Sequence, residues 1–527
     1  MTFPRALKIG LTLGVALLCP RLDADGFSPK TAASLIPSQV AKMECRYFTE
    51  LLGVASKAHV EKQLEPIKGT EVDTVVCCPM GWRFYNFPSE VDTTWKAPDT
   101  FPRNVALFPN WRKMVEHLNS GGDPLREALA ATRRLNKAFI VSFRMNDSHY
   151  IDIEEFPTHN NFWRAHPAYR LGSEAKSAGV STSPRVFNYL VPEVRDFYFS
   201  VLEEICTKYD VDGVELDFQR APRFFRDHEI TEGRVVMSAH IERIRRMLDR
   251  VGKERGRHLQ LGVRALHTVE ANLQIGADVL AWDRAGWLDS ITVSPSYIQT
   301  ADVGVDEFAA KRTHAKIFGE LNFVHLQLAG TGHNPQERRY VTAETYRAAT
   351  LSFLERGADG VSFFNTYCVP QPALNRLTSD LLGRFKDLGV LKQADKLYTS
   401  YATTSTLFGR IFPAKDRKTF QIFVADGLSG SCRKAVLRFE TKASSRDIPV
   451  EAWVNGTKLE AIIPDTLELF PPLLVNLSAP KRDNVKFFGV PVSALKFGAN
   501  DVKVATRGEG SPSCDFVSAE LALYMGK

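Results

Sequence analysis

The chain has 527 residues, 44% of them hydrophobic and 24% charged. This is a globular composition without a low-complexity tract, too long for one ordinary domain, and it excludes a disordered or fibrous protein. The net charge of +6 is spread along the chain with no basic run, which argues against a nucleic-acid partner and leaves an ordinary solvated surface or a weak pull on acidic substrates.

In chain order, Arg5 and Lys8 precede a short apolar run, Ile9 to Leu18, and then the polar RLDADG. That layout predicts a secretory signal peptide over residues 1–25, too short to span a bilayer as a mature helix. A buried N-terminal element is the alternative. Cys19 follows Leu18 where a lipoprotein signal wants a small residue, so a secreted or periplasmic protein is expected before a lipid-anchored one. No later segment reaches about 18 apolar residues, so no membrane contact is expected after signal removal. Residues 26–70 are weakly patterned and read as an N-terminal extension.

From 71 to 394, strand-like apolar runs alternate with helical segments, the pattern of a parallel α/β fold. The runs are TVVCCPMGW (74–82), KAFIVSFRMND (137–147), RVFNYL (185–190), VDGVELDF (211–218), LQLGVRAL (259–266), LDSITVSPSY (288–297), KIFGELNF (316–323) and DGVSFFNTY (359–367). Eight parallel strands predict a closed (β/α)8 TIM barrel. Pro192 suits a first helical turn, and Thr342 suits the cap of a helix ending at Gly357. VDGV (211–214) and ADGV (358–361) echo each other, as repeated βα units would.

Residues 395–527 lose helical periodicity. Short alternating runs such as KTFQIFVA, KAVLRFET and SAELALYM, separated by turn residues, predict an all-β, jelly-roll-like sandwich. None of the eight cysteines forms a CxxC pair, so no structural zinc site is expected. Cys432 and Cys514 both fall in the sandwich, and export predicts that they pair.

Barrel enzymes carry their chemistry at the C-terminal ends of strands. In DGVELDFQR the alternation puts Glu215, Asp217 and Gln219 on one face and Val214, Leu216 and Phe218 on the other. On the seventh run Phe318, Glu320 and Asn322 share a face. Asp217 and Glu320 are the expected catalytic carboxylates, one to protonate the leaving oxygen and the other to attack or to activate water. Interior ion pairing is the alternative for both.

Arg144, Asn146, Asp147 and His149 around the second run, Glu215, Arg264 on the fifth and Tyr297 after the sixth are expected to line the substrate cleft. The arginines could equally neutralise Glu215. Trp82 could stack on a sugar or pack in the core. Asp147, His149 and Asp217 could instead hold a divalent metal. There is no P-loop, GxSxG, HExxH or dinucleotide glycine loop, and no cofactor is expected.

The stretch PEVRDFYFSVLEEICTKYDVDGVELDF (192–218) resembles the glycosyl-hydrolase-like family-10 barrel proteins, and RMNDSH resembles a variant among uncharacterised bacterial members. The resemblance spans residues 70–390. It implies glycoside hydrolysis, a carbohydrate partner and Asp217 as the reactive carboxylate of the fourth strand. DGVELDFQ is also similar to the chitinase-type DGxDxDxE pattern, but Gln219 stands where that pattern has its acid, and a glutamine cannot donate a proton as an acid does. The expected protein is a secreted glycoside hydrolase, with a catalytically inactive glycan-binding barrel and a metal-dependent barrel hydrolase as alternatives. Sugar, linkage and oligomeric state stay open.

Overall fold

Each inward face of the barrel is set by strand pairing, because paired residues of parallel neighbours point the same way. A computed structural model describes residues 37–96, 109–172, 184–295, 299–300, 303–327, 338–369, 374, 377, 381–401, 419–428, 431–441, 445–470, 484–506, 514 and 516–526. The expected signal segment with Cys19, and Tyr297, lie outside the described residues.

Eight parallel strands close the barrel in sequence order: β1 (Glu44–Glu50), β2 (Thr74–Cys78), β3 (Ala138–Arg144), β4 (Gly213–Asp217), β5 (Gln260–Ala265), β6 (Ser290–Val293), β7 (Lys316–Leu321) and β8 (Gly360–Phe363). Seven of these match expected runs. One expected run has no strand. Residues 185–190 make no barrel strand. Phe187 forms one isolated bridge to Arg170, and Tyr189 N donates to Phe224 O at 2.8 Å. Val186, Phe187 and Tyr189 are buried, which gives the segment a strand-like composition without a ladder. The missing strand is β1, inside the stretch read as an extension, so the barrel begins at Glu44. Its inward face carries Glu44, Arg46, Phe48 and Glu50, and these polar residues hide the alternation. KAFIVSFRMND is therefore the third strand. DGVELDF remains the fourth, because the missed and the surplus strand offset each other.

The barrel floor is stitched by four aspartates, each just before an even-numbered strand. Asp73 Oδ2 accepts from Cys45 N at 2.7 Å, Asp212 Oδ2 from Phe139 N at 2.7 Å, Asp289 Oδ2 from Leu261 N at 2.8 Å and Asp359 Oδ2 from Ile317 N at 2.8 Å. The carbonyls of the same four residues accept from Ala138, Gln260, Lys316 and Glu44. Each aspartate thus joins the strand behind it to the strand ahead, and the last returns the ring to β1. Each also meets a cation: Lys386, Arg133, Arg245 or Arg312. The two Asp-Gly echoes belong to this ring. A Cβ on Gly213 would lie 2.3 Å from Gln260 O, and one on Gly360 would lie 2.1 Å from Glu44 O, so only glycine allows that approach.

The helix Pro192–Lys208 buries Val194, Tyr198, Val201, Leu202 and Ile205 at helical spacing and so aims β4. Thr342 caps Ala343–Glu355 by accepting from Thr345 N, and Gly357 follows with φ +98°.

After the barrel come two antiparallel sheets. One contains β9 (Lys396–Tyr401), β11 (Cys432–Thr441), β13 (Val485–Val490) and β15 (Phe516–Met525). The other contains β10 (Thr419–Val424), β12 (Val450–Val454) and β14 (Gly498–Thr506). Residues of both, among them Phe420, Ile422, Leu437, Phe439, Val502 and Leu521, share one apolar cluster. These sheets hold the loops beyond β6 and β7. Thr399 Oγ1 donates to Gln299 O at 3.2 Å, and Arg339, in a hairpin after β7, pairs with Glu440 at 2.8 Å and Glu520 at 3.3 Å. Among the described residues no helix is long and apolar enough to cross a membrane.

The expected Cys432–Cys514 pair is overturned. β11 and β15 run antiparallel with Cys432 opposite Met525 and Thr441 opposite Phe516, so the two cysteines sit at opposite ends of the ladder. Nine residues of strand separate those ends by about 30 Å, against a disulfide reach of about 7 Å between Cα atoms. The thiols instead meet Lys434 O at 3.5 Å and Ser445 O at 4.0 Å.

Non-reducing peptide mapping of oxidised protein should therefore recover Cys432 and Cys514 on separate peptides; a linked pair would contradict the strand register. For the floor, Asp212→Ala should lower unfolding stability by about 1–3 kcal/mol, the cost of leaving the Phe139 N–H without its acceptor. Asp212→Asn, which retains a side-chain acceptor, should lose less in the same denaturant titration.

Candidate active site

The mouth of the barrel contains more charge than an apolar interior tolerates unpaired. Its charges form one alternating line: Arg83, Asp147, Arg144, Glu50, Arg220, Asp217, Arg264, Glu320. The successive contacts are 3.6 Å, 3.1 Å, 2.6 Å, 3.7 Å, 3.6 Å and 3.0 Å, ending in a bidentate Arg264–Glu320 pair. All eight side chains are buried. Pairing explains the line: Arg144 on β3 sits beside Asp217 on β4, which sits beside Arg264 on β5.

The structure brings the two expected catalytic carboxylates to one guanidinium. Asp217, 1% exposed, accepts from Arg264 Nη1 at 3.0 and 3.1 Å and from Gln219 N at 2.8 Å. Glu320, 0% exposed, accepts from Arg264 Nε, from Arg264 Nη2 at 3.0 Å, from Ser294 Oγ at 2.7 Å and from Asn322 Nδ2 at 2.9 Å. The Arg264 guanidinium also lies 3.8 Å from the centroid of Phe364, which continues the inward face of β8.

Gln219 is part of the scaffold. Its Nε2 donates to Ala265 O at 2.8 Å and Ser294 O at 3.3 Å, a task an ionised glutamate could not perform. Asn146 Nδ2 likewise donates to Phe187 O at 3.0 Å and Arg223 O at 2.9 Å, tying the 185–190 segment to the loop after β4. Asn365 follows β8 in a left-handed conformation, φ +54°.

Glu215 sits one layer below the line. It accepts from Thr292 Oγ1 at 2.9 Å and Ser142 Oγ at 3.4 Å. Burial pushes its carboxyl above the usual range, against the pull of Arg46. Arg46 itself donates to Ser290 Oγ at 3.0 Å and stacks 3.7 Å over Phe318. Of the two arginines offered as neutralisers of Glu215, Arg144 pairs with Glu50 and Asp147, and Arg264 with Asp217 and Glu320.

Beyond β3, Asp147 is buried, which alone would raise its pKa. His149, Arg144 and Arg83 outweigh that and hold it well below the usual carboxylate range. His149 Nδ1 lies 2.9 Å from Asp147 Oδ1. Arg83 donates to the main-chain carbonyls of Asp147 and His149, both at 2.7 Å, and faces His159 Nδ1 at 3.1 Å. Burial and the nearby Arg83 depress His159 to about 3, so it is neutral and accepts from the guanidinium. The Trp82 ring lies 6.1 Å from His149 and meets Tyr150 edge-on at 5.1 Å, and both Trp82 and Tyr150 have left-handed backbones, φ +59° and +53°. That conformation costs roughly 1–2 kcal/mol per non-glycine residue, and such strain gathers at functional sites.

Three members of the line, Glu50, Arg83 and Arg220, were not singled out from sequence. Glu50 ends the strand that was missed. Arg220 follows Gln219 directly, and Arg83 follows Trp82. Their signal was position alone, just beyond a strand end. The three proposed metal donors are not gathered: Asp147 and His149 adjoin, while Asp217 belongs to Arg264. Among the described residues no group of three His, Cys, Asp or Glu side chains could hold a metal.

Residues 91–232 match the model of the family described as Glycosyl hydrolase-like 10, the family that the β4 segment resembles. No curated protein matches the sequence. Among solved structures, the alpha-L-fucosidase isoenzyme 2 of Paenibacillus thiaminolyticus is 15% identical with a TM-score of 0.41, over 64% of this chain and 48% of the fucosidase. The chain thus spans about half of that enzyme's length. The PgaB (BpsB) glycoside hydrolase domain of Bordetella bronchiseptica is 10% identical with a TM-score of 0.43, over 65% of this chain and 99% of the domain. The endo-beta-1,4-mannanase of Thermotoga petrophila is 11% identical with a TM-score of 0.42, over 90% and 97%.

A raised folded pKa at Glu215 means that its stability contribution is full below the 4.5 of an ordinary glutamate and falls as the pH rises towards the folded value. Glu215→Gln should therefore remove a decline in stability above about pH 4.5 while costing less than about 1.5 kcal/mol at neutral pH. Urea midpoints measured across that range check this; an unchanged slope would mean that Glu215 is ionised in the folded barrel.

Proposed function

We propose that this barrel is an exported glycoside hydrolase acting on a poly- or oligosaccharide, with Asp217 as the carboxylate that attacks the anomeric carbon. The observation that carries the reading is the setting of Asp217. It ends β4 at the mouth, where Arg264 and the Gln219 N–H donate to its carboxylate and hold it in one orientation for attack. The family match over the β3–β4 segment supports the class of reaction. The charged-then-apolar start supports export.

Glu320 suits a different task. Four donated bonds from Arg264, Ser294 and Asn322 commit its two oxygens to the barrel wall, which suits an anchor for Arg264 better than a group that reaches a leaving oxygen. The expected carboxylate pair thus narrows to one reacting group and one positioning group. Gln219 favours a second reading, a glycan-binding barrel without turnover, since it replaces an acid with an amide committed to backbone carbonyls.

A panel of dinitrophenyl glycosides separates the two. Wild-type protein should hydrolyse at least one sugar of the panel, and Asp217→Asn should lower kcat on it by at least about 100-fold. The amide can still hydrogen-bond, so the variant should unfold as one cooperative transition. Hydrolysis that survives the substitution would remove Asp217 from the chemistry, and binding of glycans without any wild-type turnover would establish the second reading.

A further inference from the structure

If Asp217 attacks and Glu320 anchors, the proton for the leaving group must come from elsewhere in the mouth. We infer that His149, oriented by Asp147, is the acid–base residue of this site, an assignment that rests on the hydrolase reading above.

The three histidines buried among the described residues are used differently. His159 has both ring nitrogens engaged, by Arg83 and by Ile153 O at 2.8 Å, and His240 and His325 are enclosed. The side chain of His149 is 34% exposed, and its Nε2 has no hydrogen-bond partner among the described residues. Its Nδ1 faces the Asp147 carboxylate, which His149 itself, Arg144 and Arg83 together hold in the accepting, ionised form. The proton on Nδ1 is therefore fixed, and Nε2 is the nitrogen left to gain and lose one.

The loop is held to present that ring. Arg83 grips the carbonyls on either side of Ser148, the carboxylate of Asp147 accepts from His149 N at 2.8 Å, and the Trp82 ring lies 6.1 Å from the imidazole. His149 rises from the strand next to the one that carries Asp217, since β3 and β4 are paired through Arg144 and Asp217. The charged group bonded to the imidazole is Asp147 on its own loop, and Arg83 from the loop after β2 donates to the His149 carbonyl. Arg144 on β3 pairs with Asp147 and Glu50.

The step balances as follows. Protonated His149 gives its Nε2 proton to the glycosidic oxygen while the bond from that oxygen to the anomeric carbon breaks and Asp217 forms a new bond to the same carbon. The sugar alcohol leaves neutral. The neutral imidazole then takes a proton from the water that attacks the anomeric carbon, the bond to Asp217 breaks with its electron pair returning to the carboxylate, and both residues are restored.

The test compares two leaving groups on the same sugar. A dinitrophenyl group departs without a proton, and an alkyl group does not. His149→Asn retains an amide that can donate to Asp147 and removes the titrating nitrogen. It should lower kcat on the alkyl glycoside by at least about 100-fold and on the dinitrophenyl glycoside by less than about tenfold. The limb of the wild-type pH profile that reports the acid should vanish with it. His149→Gln is the second variant should the first fail to unfold cooperatively. Equal losses on both substrates, or no loss on either, would overturn the assignment while leaving an Asp217-dependent hydrolase intact. A wild-type protein that hydrolyses neither substrate would remove the hydrolase reading and this assignment together.

Discussion

The upper half of the barrel depends on one requirement: no charge can be buried there without an opposite charge beside it. Arg264 meets it for two carboxylates at once, on strands that are not neighbours. Because each partner is shared, the pairs extend into a line from the loop after β2 to β7. Breaking a buried pair on one side typically costs about 3–5 kcal/mol, far more than a surface pair. The line therefore fixes β1, β3, β4, β5 and β7 relative to one another, and the dipoles at the mouth are set before any ligand arrives. Its longest links are the two made by Arg220, at 3.6 and 3.7 Å, and the one from Arg83 to Asp147, at 3.6 Å.

Two carboxylates in this barrel show how partners, and not burial, decide ionisation. Glu215 and Asp147 are equally enclosed, each 2% exposed. Glu215 meets hydroxyls, with a guanidinium opposing only in part, and its carboxyl is pushed up. Asp147 has two guanidiniums, an imidazole and a backbone N–H, and its carboxyl is held down. Glu215 lies within β4 and Asp147 in the loop beyond β3, so carboxyls pushed in opposite directions sit in the same barrel.

Legibility followed alternation. The apolar outward faces of β4 and β7 made Glu215, Asp217 and Glu320 visible as a shared interior set, and the structure confirms that direction. β1 was invisible for the same reason in reverse: with Glu44, Arg46 and Glu50 inside, polarity alternates with an outward face that also carries Thr49. The buried 185–190 segment shows that an apolar run alone cannot distinguish a strand from a packed loop. Gln219 read as a lost acid because its backbone acceptors come from two other strands, which no local pattern reveals. Pairing of Cys432 and Cys514 was inferred from compartment, and strand register, a long-range property, decided otherwise.

The ring of aspartates beneath the barrel makes the contact between β8 and β1 chemically the same as that between β2 and β3. A closed sheet usually has a seam where the last strand meets the first, and here the seam has no distinct chemistry. The fold is a cycle of four equal two-strand modules, so its architecture has no privileged starting point. Chain could be opened in one connection and rejoined across another without removing any stitch. The asymmetry of the molecule lies entirely at the other end, where each module's loops carry different residues, and so one repeating foundation supports an upper surface that is free to diverge module by module.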